Sequence, residues 1–230
     1  MFGKEAYVSV IRSFLRHDFT FEKYLSTKRS RAVLIRHDID FSVTDAYQLA
    51  VLESELGVAA TYFFMLTSNT YNLLSKANRS LVKEIKSLGH DVALHFDPVV
   101  HDDIDAGFAE EKLIFEEAFD VDLKIVSIHR PGVFLEHNNR KLEGCRHTYE
   151  DSFVKEMTYI SDSGGRDIQQ KLLELAHQGS DLPLQILLHP IWWTSRTPSP
   201  TATLNDWLER SLAFLVDETS RNCKTFEGIR

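Results

Sequence analysis

Cysteine is nearly absent from this sequence: Cys145 and Cys223 are its two examples, far apart and without C-x-x-C spacing. That excludes a disulfide framework and leaves two unpaired thiols, as suits a reducing compartment. Basic clusters are missing as well. Lys and Arg number 26 against 34 Asp and Glu, giving a net charge of -8 and a pI of about 5.7. The cations are scattered, so there is no footprint for a phosphate backbone, and nucleic acid is excluded as a partner. No apolar run reaches membrane-spanning length, and Met1-Phe2-Gly3-Lys4-Glu5 does not lead into the apolar core of a signal peptide. No integral membrane segment is expected, and the cytoplasm is the expected location. Nor is there an internal repeat. What is present is 43% hydrophobic content in 230 residues, enough for one sizeable core, so a single domain over 1–230 is expected.

The apolar residues fall into an alternation of short buried runs and helical spacings. Tyr7, Val8, Ile11 and Leu15 have helical spacing, and the aromatic Phe19, Phe21 and Tyr24 lead into a first run, Ala32 to Ile35. Ala46, Leu49, Ala50, Leu52 and Leu56 predict a helix stopped by Gly57, and Leu81, Ile85 and Leu88 one stopped by Gly89. Further strands are predicted at Val58–Leu66, His90–His95, Leu123–Ile128, Met157–Ser161 and Leu184–Leu188, with helices over Asp105–Phe119, Ile168–Ala176 and Leu204–Val216. Phe134–Tyr149 lacks periodicity and reads as a long loop or short helix. Strand-helix alternation of this kind predicts an α/β fold, a parallel sheet with helices outside it, open or closed into a barrel.

Five of the runs end in ionisable residues: Asp38/Asp40, His95, His129/Arg130, Asp162 and His189. In barrels of parallel strands, functional residues gather at the carboxyl ends. Asp38 and Asp40 lie two apart on an extended segment and point to one side, and two acids that close require a metal, a proton or a cation. One carboxylate and two imidazoles are the ligand set of a catalytic divalent metal. Asp40 and His95 are the first two candidates; the third is His129, at the next strand end, or His101. Asp38 is then free to act as general base, Arg130 to grip it, Asp162 to orient Arg130 or touch a substrate hydroxyl, and His189 to act as general acid. Trp192 and Trp193 are candidate walls for a sugar ring, with a core role as the even alternative. His90, His137, His147 and His177 read as ordinary surface or core histidines.

Arg36-His37-Asp38-Ile39-Asp40, Gly57 to Phe64, Gly89 to His95, Ile128-His129-Arg130-Pro131-Gly132 and Leu187-Leu188-His189-Pro190 occur in the order and spacing of a known family. They resemble the polysaccharide deacetylases of carbohydrate esterase family 4, from about Arg31 to Trp193. The resemblance implies a distorted, seven-stranded (β/α) barrel that removes N-acyl groups from sugars with a divalent metal, usually zinc. It implies Asp38 as base, Asp40 and His95 as metal ligands, Arg130 as support of the base and His189 as catalytic acid. Two features depart from the family. Ile39 separates acids that are usually adjacent, as in a divergent branch, and the usual second metal histidine falls at Val99. The expected substrate is a cytoplasmic intermediate, a nucleotide-linked or lipid-linked sugar of surface-polysaccharide assembly. Two rival readings use the same residues: a deacetylase-like protein that binds a glycan or partner without catalysis, and an iron oxygenase built on His95-Phe96-Asp97.

Overall fold

A computed structural model describes residues 3–26, 31–136, 141–180 and 182–228. Its strands are β1 (Thr20–Phe21), β2 (Ala32–Ile39), β3 (Thr61–Phe64), β4 (Asp91–Phe96), β5 (Ile125–Ile128), β6 (Arg146–His147), β7 (Thr158–Ser161) and β8 (Leu184–Leu188). The helices are α1 (Lys4–Arg16), α2 (Val43–Glu55), α3 (Lys76–Ser87), α4 (Ile104–Phe119), α5 (Gly132–Glu136), α6 (Asp151–Val154), α7 (Gln169–Gln178), α8 (Pro190–Thr194) and α9 (Pro200–Asn222).

Every strand pairing is parallel, and the order is β6-β5-β4-β3-β2-β8-β7, with β1 paired to the start of β2. The seven strands form a curled half-barrel with helices around it, a distorted (β/α) barrel. All eight residues of β2 are buried. The reason is its position: β8 pairs with it from Val33 to His37, and β3 from Arg36 to Ile39. A strand flanked on both edges and covered on both faces reads as a continuous apolar run, here until charged residues enter at Arg36.

The turn signals act as their chemistry requires. The Ser42 hydroxyl accepts the Asp45 amide at the start of α2, and Ser75 does the same for Asn78 at α3. Gly57 and Gly89 follow the two helices at φ of +72° and +97°, where a side chain would be strained. Outside the sheet, α1 packs on α7, and α2 on α3 and α8.

Three segments differ from expectation. The aromatic lead-in contains β1, too short for a period-2 pattern. The last helix starts at Pro200 rather than Leu204, because Ser199 caps it through the Ala202 amide and proline suits a first helical position. Phe134–Tyr149 contains the end of α5 and the two-residue β6, while 137–140, His137 included, lie outside the described residues.

Candidate active site

The end of β2 fixes the site by simple alternation. Arg36, Asp38 and Asp40 point to the barrel interior, and His37 to the helix layer, where its ring lies 4.4 Å from Tyr62. Asp38 is buried, and Arg36 grips it with a planar fork: Nε donates to Oδ1 at 2.9 Å and Nη2 to Oδ2 at 2.7 Å. Burial pushes the Asp38 pKa up, but the Arg36 charge and hydrogen bonds outweigh it and hold the acid below its ordinary range. The Arg36 guanidinium lies over the Tyr149 ring at 4.8 Å. Just beyond, the backbone is pinned: Tyr71 Oη donates to the Ile39 carbonyl at 2.6 Å and accepts the Met65 amide at 2.9 Å, tying the ends of β2 and β3 together.

Asp40, His95 and His129 come from the ends of β2, β4 and β5, and one potential ligand atom of each falls within 4.8 Å of the others. Asp40 Oδ1 lies 3.3 Å from His95 Nε2 and 3.7 Å from His129 Nδ1, and the two ring nitrogens are 3.2 Å apart. Asp40 Oδ1 is buried without a hydrogen bond. An orphaned carboxylate oxygen facing two imidazole nitrogens fits a divalent cation, because the cation satisfies all three lone pairs at once. The other nitrogen of His95, Nδ1, is 2.6 Å from Ser127 Oγ, the outer contact that fixes a ligating imidazole. Burial raises the Asp40 pKa, yet the neighbouring His95, His189 and His129 hold it far below the carboxylate range. His129 moves down, through burial and the charge of His95.

On the other side of Asp40 stands His189, its Nε2 3.6 Å from Asp40 Oδ2. Its Nδ1 is 2.6 Å from Asp162 Oδ1; a carboxylate only accepts, so Nδ1 carries the proton. Asp162, fully buried, also accepts the His189 amide at 3.0 Å and the Trp193 indole N–H at 2.8 Å. Burial lowers the His189 pKa, but the bond and charge of Asp162, with Asp40 and Asp38, push it up to about 9.

Asp38, Asp40, His95, His129, Asp162 and His189 thus converge. The others lie elsewhere. Arg130, expected on Asp38, pairs instead with buried Asp97, and its backbone is left-handed at φ +46°. Asp162, expected beside Arg130 or a substrate hydroxyl, is occupied by His189 and Trp193. His101 is bound to Glu111 at 2.6 Å and stacked on Phe96, outside the cluster. Trp192 and Trp193 are 4% and 0% exposed, which makes them core residues rather than walls of an open pocket. Sequence reasoning missed Arg36, Ser127, Tyr71 and Tyr149. For Arg36 the signal was available: it is two residues before Asp38 on the same strand.

The sequence matches no protein-family model and no curated protein. Solved structures do match. Peptidoglycan deacetylase PdaC from Bacillus subtilis aligns with a TM-score of 0.50 at 12% identity, covering 83% of this chain and 96% of that one. The catalytic domain of a peptidoglycan N-acetylglucosamine deacetylase from Eubacterium rectale aligns at 0.48 and 14%, covering 82% and 87%. A carbohydrate esterase family 4 pseudoenzyme from Bacillus anthracis aligns at 0.45 and 13%, covering 78% of this chain and 59% of that one, so this chain spans about three-fifths of its length. At such identities the likeness is one of fold. The chain shares the curled, parallel (β/α) fold of the carbohydrate esterase family 4 polysaccharide deacetylases.

Proposed function

We propose that this protein is a divalent-metal-dependent hydrolase that removes an N-acyl group from a sugar or sugar conjugate. The carrying observation is the joint placement of Asp40, His95 and His129 around one point, with a carboxylate, Asp38, and a protonatable imidazole, His189, beside it. The peptidoglycan deacetylase that shares the fold supports the reaction class.

Asp40 Oδ1, His95 Nε2 and His129 Nδ1 would hold the metal, zinc being the expected ion, and His129 takes the part that Val99 cannot play. When bound, such an ion supplies Lewis-acid polarisation and acidifies water. Asp38, held as a carboxylate by Arg36, accepts the proton of the water that attacks the amide carbonyl. His189 enters protonated, oriented by Asp162, and delivers its Nε2 proton to the departing nitrogen as the C–N bond breaks. The products are a free carboxylate and an amino sugar. We place the substrate among nucleotide-linked or lipid-linked sugars of surface-polysaccharide assembly, in the cytoplasm. No described helix is long and apolar enough to cross a membrane.

Elemental analysis joined to acetate release from N-acetylated sugar conjugates tests the reading. About one equivalent of zinc per chain, lost in Asp40→Ala or His95→Ala, is expected. Asp38→Asn should keep the metal and lose acyl release. A protein that takes up no divalent metal under reconstitution would sink the hydrolase and leave the non-catalytic binding reading. The iron-triad reading has a structural obstacle, since Asp97 is engaged by Arg130 and by the Val99 amide.

A further inference from the structure

Two carboxylates approach His95 Nε2, but of the two only Asp40 is grouped with both histidines, its Oδ1 lying 3.7 Å from His129 Nδ1 as well. Asp40 Oδ1 is 3.3 Å from His95 Nε2, and Asp38 Oδ2 is 3.6 Å from the same atom. Hydrogen bonding separates them as well. Each Asp38 oxygen accepts one bond from Arg36 and keeps a lone pair for a water proton, whereas Asp40 Oδ1 has no hydrogen bond. The fork itself is fixed: Arg36 is 0% exposed, its guanidinium lies between Tyr149 and the Phe63 ring, 6.0 Å away, and the strand that carries Asp38 carries it too. No other arginine is bonded to Asp38 among the described residues, Arg130 being on Asp97.

We propose that Arg36 is a positioning residue that withholds Asp38 from the metal's ligand set. It thereby keeps a coordination position open for water and leaves Asp38 as the base. The inference rests on the metal-site reading above. Arginine suits the task because its fork occupies both carboxylate oxygens at once, which a single ammonium does not. Without it, Asp38 is a buried carboxylate stripped of its cation, 3.6 Å from His95 Nε2, the atom proposed to hold the ion, and would be free to join the ligand set.

The test uses the full chain, loaded with Zn2+ or Co2+, as the parent and as Arg36→Lys, Arg36→Met and the double variant Arg36→Met with Asp38→Asn. Zn2+ affinity is read by chelator competition, and coordination by the intensity and position of the Co2+ absorption bands. Arg36→Met is expected to bind Zn2+ about tenfold more tightly, through the added carboxylate ligand and opposite in sign to the usual loss of an outer-shell partner, and to change the Co2+ spectrum. The double variant should return both to parental values, because an amide is a poor ligand. Arg36→Lys should shift both in the same direction by less. A folded Arg36→Met with parental affinity and spectrum overturns the proposal. Should Arg36→Met fail to fold, parental behaviour of Arg36→Lys overturns it equally. A parent chain that binds neither ion overturns the metal-site reading and this inference with it.

Discussion

β2 carries a buried cluster of acids and histidines on each face, and the two are built to different ends. On the helix side, Glu53 of α2 accepts from Tyr7 Oη, from Tyr62 Oη at 2.6 Å and from His37 Nε2 at 2.8 Å, with His90 Nδ1 at 3.6 Å. Both of its oxygens are used, and all five side chains are at most 2% exposed. On the barrel side, Asp40 Oδ1 is left over and His129 reaches the rim. Composition is therefore no guide to purpose. The Glu53 cluster ties α1, α2, β2, β3 and the entry to β4 together with both carboxylate oxygens used and a neutral ring nitrogen, His37 Nδ1, left over; on the barrel side the atom left over is a carboxylate oxygen, which has capacity to bind a cation.

The largest expected effect tests the Glu53 side. Glu53→Gln should cost about 3–5 kcal/mol in urea unfolding, the usual cost of breaking a buried charged network. The Zn2+ affinity of the remaining folded protein should be unchanged; a loss of affinity would erase the distinction between the faces.

His189 gives the next effect. Its pKa is raised from 6.5 to about 9 on folding, so the folded state binds the proton more tightly. In metal-free protein that stabilisation, roughly 3 kcal/mol at 1.36 kcal/mol per pKa unit, is complete below pH 6.5 and lost as pH rises through about 9. Asp162→Asn should flatten this part of the stability profile, measured by urea titration at successive pH values.

Asp40→Ala, removing a proposed ligand, should weaken Zn2+ binding by more than about 100-fold, beyond what outer-shell changes do. Unfolding of the metal-free protein should be altered by less than in Glu53→Gln, since Asp40 loses only its pairing with the rim histidines, which sharpens the contrast with Glu53. The smallest effect is expected at Arg130→Ala. Its side chain is half exposed and its partner is Asp97, so Zn2+ affinity should not move. A change as large as that of Arg36→Met would mean that Arg130 reaches Asp38 in solution.

The sequence showed where the strands end, because apolar runs stopped by charge are local features, and the two glycine stops are local as well. It paired Asp38 with Asp40 by the period of a strand. The same period includes Arg36, yet the supporting cation was sought at Arg130, where a left-handed backbone and the nearby Asp97 draw the side chain elsewhere. Asp162 and His189 meet across β7 and β8, and His95 leans on Ser127 across β4 and β5. Such partners depend on register between strands far apart in sequence, which no window of residues contains. The tryptophans show the reverse problem: an aromatic pair after a strand end looks like a ligand wall until burial is known.

The sheet order has a consequence for assembly in time. Asp40, His95 and His129 lie at the ends of β2, β4 and β5, which with β3 form an unbroken block made from the first part of the chain, whereas His189 waits for β8 to insert on the far edge of β2. That docking closes the longest loop of any strand pairing in the sheet, the pairing step expected to be slowest. If the proposed centre takes up zinc, the ion supplied to a refolding or nascent chain should thus be captured by the early block first, with the half that carries His189 added afterwards.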